Sequence, residues 1–233
     1  MRAAIKLEDT WRAMFSLKLQ KAPRHCVSAS FPVTADHNAV AWERRDAWNT
    51  SVRRSRMTSP ETSSQGSPFW RFSLRFYRQQ EVADACITLQ DEVGVDVNLL
   101  LFLLWQATRK RALSVTEVEE LERRIGGWRV ATIIPLRQLR RALKTPPALV
   151  AGAKAELFRT KIKAIELEAE RLQQEAMFDL ATASPWGREL PAVQEAARAN
   201  VVAYEAISRA SFPTAAINSL LAALSDLERK PEE

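Results

Sequence analysis

Apolar positions crowd most densely between Asp96 and Ala107, where Val-Asn-Leu-Leu-Leu-Phe-Leu-Leu-Trp-Gln leaves almost no polar face when wound as a helix. A helix that is apolar on every side must be wrapped by others, so the pattern is read around a central helix spanning 96–112. Upstream, Ser67-Pro68 is a helix start, with Ser as N-cap and Pro in the first turn. Phe69, Phe72 and Phe76 then share a stripe with Trp70, Leu74 and Tyr77 beside it, opposite Arg71, Arg75 and Arg78. From Glu81 to Val93, the residues Val82, Ala85, Cys86, Leu89 and Val93 recur at amphipathic spacing, and Gly94 is a natural stop. Asp96 is placed to cap the central helix. Asn98, just inside it, is a polar side chain at an oily start, so its amide needs a partner, either a structural bond to a loop or a ligand contact.

Beyond the central helix, Ser114-Val-Thr-Glu117 fits a capping box, and Glu117, Glu119, Glu120 and Glu122 load the helix front where the macrodipole favours acids. Gly126-Gly127 predicts the end of that helix. Trp128 to Lys144 predicts another, with Trp128, Ala131, Pro135, Leu139 and Ala142 inward and a kink at Pro135. Its outer side gathers Arg137, Arg140, Arg141 and Lys144. After Pro146-Pro147, the residues Phe158, Ile162, Ile165, Ala169, Leu172 and Ala176 repeat at 4-3 spacing, a heptad seam in which Glu166 and Glu170 face solvent. Ser184-Pro-Trp-Gly187 supplies a turn, and Val193, Ala197, Val201, Tyr204 and Ile207 offer the seam a partner stripe. Phe212-Pro213 precedes a last helix carrying Ile217, Leu220, Leu221, Leu224 and Leu227.

Six glycines and two tyrosines argue against a barrel or sandwich. The fold class expected is all-α: a compact helical bundle around the central hydrophobic helix (96–112) plus a C-terminal long-helix hairpin of coiled-coil character. The expected divisions are a disordered leader, 1–66, a helical core, 67–145, and a helical extension, 146–233. Charge sharpens the first boundary. Residues 1–56 carry 11 Lys and Arg against 5 Asp and Glu, whereas residues 57–233 carry 23 of each, so the net charge of +6 sits in the leader. Met57, followed by a polar Thr-Ser-Pro-Glu stretch, is the expected native start, which places 1–56 outside the native protein; the alternative is that they form a basic arm suited to nucleic acid or an acidic partner.

The chemistry of residues 57–233 is limited. They contain no histidine, so serine or cysteine nucleophiles lack their usual general base. A di-metal bundle site lacks its Glu-x-x-His element, no phosphate-cradling glycine motif occurs, and no cofactor is expected. The leucine-rich run is shorter than the roughly 20 apolar residues of a membrane span, and no secretory signal is evident, so a cytoplasmic location follows. Candidate binding residues are Asp96 and Asn98 at the start of the central helix, Trp105 on it, and Trp128, Arg129, Arg137, Arg140 and Arg141 downstream. Aromatic and Arg side chains together are typical of interface hot spots. The reading is a non-enzymatic protein–protein interaction or regulatory module, with a homodimer through the C-terminal helices as one pairing. A carboxylate-based enzyme site at Asp96 and Asn98 is the other class considered.

Phe69-Trp70-Arg-Phe72, Asp96-Val-Asn98-Leu-Leu-Leu-Phe-Leu-Leu-Trp105, and Trp128-Arg129 followed by Pro135-Leu-Arg137-x-x-Arg140 resemble a family of proteobacterial proteins grouped as a conserved domain of unknown function. The resemblance spans Phe69 to Lys144. It implies a helical fold and a bacterial cytoplasmic setting, and carries no catalytic role.

Overall fold

The computed structural model describes residues 66–150 and 152–229; the basic leader and the Met57 start lie outside them. Eight α-helices account for nearly all of the described chain: α1 (Pro68–Tyr77), α2 (Gln80–Val93), α3 (Val97–Thr108), α4 (Val115–Trp128), α5 (Ile134–Ala142), α6 (Gly152–Ala183), α7 (Val193–Ser208) and α8 (Thr214–Arg229). A two-residue ribbon pairs β1 (Arg111–Ala112) antiparallel with β2 (Arg188–Glu189). The fold is therefore a helical bundle, as the composition implied.

The local signals behave as their chemistry requires. Ser67 accepts a hydrogen bond from the Trp70 amide, Ser114 and Glu117 form the reciprocal capping box, and Gly94 closes α2 at φ 75°. The central helix α3 is buried from Val97 to Ala107 but stops at Thr108, so the expected tail to 112 becomes a turn and β1. Helix α3 is packed mainly against α7, with α1 and α6 also touching it, while α2 packs on α8. One apolar cluster runs from Phe69 through Ile125 and on to Leu224, so the core does not divide at residue 146.

Three expectations are corrected. First, Gly126-Gly127 does not end α4. The helix continues through a π-helical turn, Arg129–Ile133, into α5, and the Ile134 amide donates to the Arg129 carbonyl five residues back. This register shift puts Pro135, which has no N–H to donate, in the first turn of α5. Second, α6 and α7 do not zip into a hairpin; α6 lies chiefly on α5, α1, the π turn and α3, whereas α7 lies on α3 and α4. Third, α6 and the helical stretch before it turn different faces inward: Trp128, Ala131, Pro135, Leu139 and Ala142, expected inside, are exposed, while Ile133 and Arg140 are buried. Phe158, Ile165 and Leu172 of the expected seam are exposed, and Ile162, Glu166, Ala169, Glu170, Gln173, Gln174 and Met177 are buried. Both glutamates expected in solvent therefore lie inside the bundle.

Candidate functional site

The buried polar face of α6 meets the start of α3. Asp96 Oδ1 accepts from the amides of Asn98 (2.8 Å) and Leu99 (3.4 Å), while its Oδ2 accepts from Arg129 (2.7 Å) and Gln173 (3.4 Å). The Asp96 amide donates to the Tyr204 hydroxyl at 2.9 Å. Asn98 completes the junction: its Nδ2 donates to Gln173 Oε1 at 3.0 Å and its Oδ1 accepts from Gln174 Nε2 at 2.8 Å. The partner that Asn98 needed comes from a helix, not a loop. Deeper in, Glu166 accepts from Arg137 Nε (3.2 Å) and from Arg140 Nη2 (3.1 Å) and Nε, and Glu170 accepts from Arg137 Nη2 at 2.8 Å.

Asp96, Asn98, Glu122, Arg129, Arg137 and Gln173 form the floor of a cleft of about 580 Å³, with Glu166, Glu170 and Gln174 buried behind it. Gln90, Asp91, Val93 and Gly94 from the end of α2 make one wall. Val130, Ile133, Ile134, Arg137 and Arg141 from the π turn and α5 make another. Tyr204, Ile207 and Ser208 of α7 close the third side. Val130 and Ile134 remain substantially exposed on that wall. A cavity of this size is in the range that takes a small molecule or a few side chains of a partner.

The charges of the floor neutralise one another. Arg129 is clamped by both oxygens of Glu122 as well as by Asp96. Its hydrogen bonds to Glu122 outweigh the cost of burial and, with the Asp96 charge, raise its pKa further above the ordinary guanidinium value. Burial opposes the charge on Arg137, but Glu170 and Glu166 overcome that and leave its pKa raised. Burial, followed by the Asp96 carboxylate, pushes the Tyr204 hydroxyl well up, so it stays protonated. At the rim, Arg141 reaches Asp91 at 3.4 Å, and the pair is largely exposed. Surface pairs of this kind contribute little and exchange readily.

Of the candidate residues, Asp96, Asn98, Arg129, Arg137 and Arg141 line this one cleft. Arg140 lies behind it, 3% exposed against Glu166, and so is no part of an open Arg surface. Trp128 borders α6, its indole N–H donating to the Ala169 carbonyl at 3.0 Å. Trp105 is a core residue whose ring lies 5.4 Å from Phe69 and 5.7 Å from Phe178, with the Arg109 guanidinium 5.1 Å above it. Sequence reasoning missed Glu166, Glu170, Gln173 and Gln174 as site residues. The available signal was their own 4-3-1 spacing on α6, a polar stripe parallel to the apolar one.

Among the described residues, no group of His, Cys, Asp and Glu has the clustering of a metal site, and no helix is long and apolar enough to cross a membrane. The class defined so far is a helical bundle with two sets of ion pairs, Arg129 with Asp96 and Glu122, and Arg137 and Arg140 with Glu166 and Glu170, at and behind a mixed polar and apolar cleft. Residues 68–177 match a family model described as "Protein of unknown function (DUF2390)", which bears out the resemblance noted between Phe69 and Lys144. The match takes in the Asp96, Arg129 and Glu166 clusters and stops short of Tyr204 and the α7 wall. Neither the curated proteins nor the solved structures provide a match.

Proposed function

We propose that the protein is a non-enzymatic interaction or regulatory module that receives a partner at the cleft between α2, α5 and α7. The observation that carries this reading is the division of labour in the cleft. Asp96, Glu122, Glu166 and Glu170 are each engaged by an arginine, so none is left as an unpaired acid or base. The apolar side chains of Val130 and Ile134, by contrast, are left exposed along one wall beside Arg141. Catalysis by a carboxylate at Asp96 is disfavoured because both its oxygens are occupied, one in capping α3 and the other in holding Arg129. A partner would set an apolar group against Val130 and Ile134 and draw Arg141 away from its weak pairing with Asp91.

The test uses residues that the fold does not need. Val130→Asp and Arg141→Glu alter exposed side chains, so the thermal midpoint should stay near that of the parent. Cross-linking in cells followed by mass spectrometry should then lose the partners captured by the unmodified protein. If both variants retain every such partner, the cleft is not where they dock. A basic arm at residues 1–56 binding nucleic acid is a separate reading, and a salt-dependent affinity that disappears with those residues would support it.

A further inference from the structure

The seam that α6 fails to bury against its own chain has a pattern of its own. Phe158, Ile165 and Leu172 recur every seven residues and are 51%, 52% and 46% exposed, with Leu157 beside them at 68%. Side chains seven apart on an α-helix lie on one line, which is the arrangement that packs into a second helix. Trp128, itself 41% exposed and fixed to the Ala169 carbonyl, borders the same line and widens the apolar strip. Alongside it, Lys154, Lys161, Glu168 and Glu175 form a second line at the same seven-residue spacing. Its order is two cations followed by two anions.

That order is antisymmetric about the point between Ala164 and Ile165. A copy of the helix laid antiparallel and related by a two-fold axis through that point sets Lys161 opposite Glu168 of the second copy, and Lys154 opposite its Glu175. The symmetry repeats both pairs, which gives four contacts of opposite sign. The same operation brings Leu172 over Leu157 and Ile165 over Ala164, close to the axis. A parallel copy would instead set lysine beside lysine and glutamate beside glutamate. We infer that the exposed face of α6 is the interface of a homodimer in which two α6 helices pair antiparallel, sealed by Phe158, Ile165 and Leu172 and registered by the Lys154/Lys161 and Glu168/Glu175 charges. An isologous contact of this kind closes on itself, so it ends at two chains and does not grow into a filament. The segment from Lys154 to Glu175 covers about 32 Å at the rise of an α-helix, long enough for three turns of seam on either side of the axis.

This surface is separate from the cleft, so the inference stands or falls independently of the proposed function. Sedimentation equilibrium of the full chain across the micromolar range should return the mass of two chains. Ile165→Glu changes a side chain that is half exposed in the monomer and places two carboxylates near the axis. It should weaken dimerisation at least about tenfold while leaving the helical circular dichroism unchanged. Lys161→Glu and Glu168→Lys should each weaken the dimer, and the two combined should restore it, because the reversed charges face each other again. A full chain that stays monomeric overturns the inference, whether another protein or residues 1–65 occupy the strip. So does a dimer indifferent to Ile165→Glu, or one that the combined charge reversal fails to rescue.

Discussion

Asn98 spends every polar atom of its side chain on α6, donating to Gln173 and accepting from Gln174, and its own backbone amide on Asp96. Replacing it with leucine keeps the volume and removes both side-chain bonds. Gln174 Nε2 is then left unpaired in the core and Gln173 Oε1 unpaired at the cleft floor, and since a buried unpaired group costs on the order of 1–3 kcal/mol, the loss should be about 1–3 kcal/mol in urea unfolding. Glu166 provides a sharper contrast. Its carboxylate is fully buried between Arg137 and Arg140, so Glu166→Gln leaves cationic charge facing a neutral amide and should cost about 3–5 kcal/mol. Exchanging Arg140 and Glu166 together for methionine removes the charge and its counter-charge at once. The double variant should be far more stable than the sum of the single ones implies, because Arg137 keeps Glu170. An additive result would mean that the pair contributes no coupling.

At the scale of the element, the stretch from α4 to α5 shows how one local irregularity absorbs another. Two glycines lower the helical tendency at 126 and 127, and Pro135 cannot donate to position 131, yet the chain stays helical by taking a π turn between them. Gly127 has ordinary helical geometry and open space where a Cβ would point. Gly127→Ala should therefore stabilise the protein by about 0.4–1 kcal/mol through the unfolded chain, visible as a raised denaturation midpoint. Gly187 is the opposite case. Its φ is 70° and a Cβ would lie 2.7 Å from the Ala112 carbonyl oxygen, so alanine there should strain the β1–β2 ribbon. The caps at Ser67, Asp96 and Ser114 and the oily α3 were legible beforehand because each depends on residues within a few positions. The inward face of α6 was not. Ile165 and Leu172 sent the stronger apolar signal, and the partners that make burial of Glu166 and Gln174 tolerable, Arg140 and Asn98, are 26 and 76 residues away. Of the candidate site, Asp96, Asn98 and the arginines could be named from composition and position, but their pairing with α6 could not.

The whole molecule depends on contacts that close over long stretches of chain. Helix α3, the apolar centre, is covered chiefly by α7, and α2 by α8, so the elements before residue 146 and those after it bury one another. The polar junction follows the same logic. Asp96 N–H reaches Tyr204 across 108 residues, and Asn200 satisfies the Leu113 amide at 2.7 Å and the carbonyls of Leu103 at 2.8 Å and Arg111 at 3.0 Å. A chain limited to residues 66–150 would expose most of the surface of α3 that α7 covers and leave these backbone groups without their side-chain partners. Such a fragment should lack a cooperative thermal transition and bind hydrophobic dyes, whereas residues 66–229 should unfold in one transition. A fragment that melted cooperatively alone would show that α1 to α5 form an independent core and that α7 and α8 merely cap it. The placement of Asn200 argues for the first outcome, since three bonds from one fully buried amide tie α7 to the middle of α3 and to the β1 segment, and a fragment ending at 150 lacks that amide.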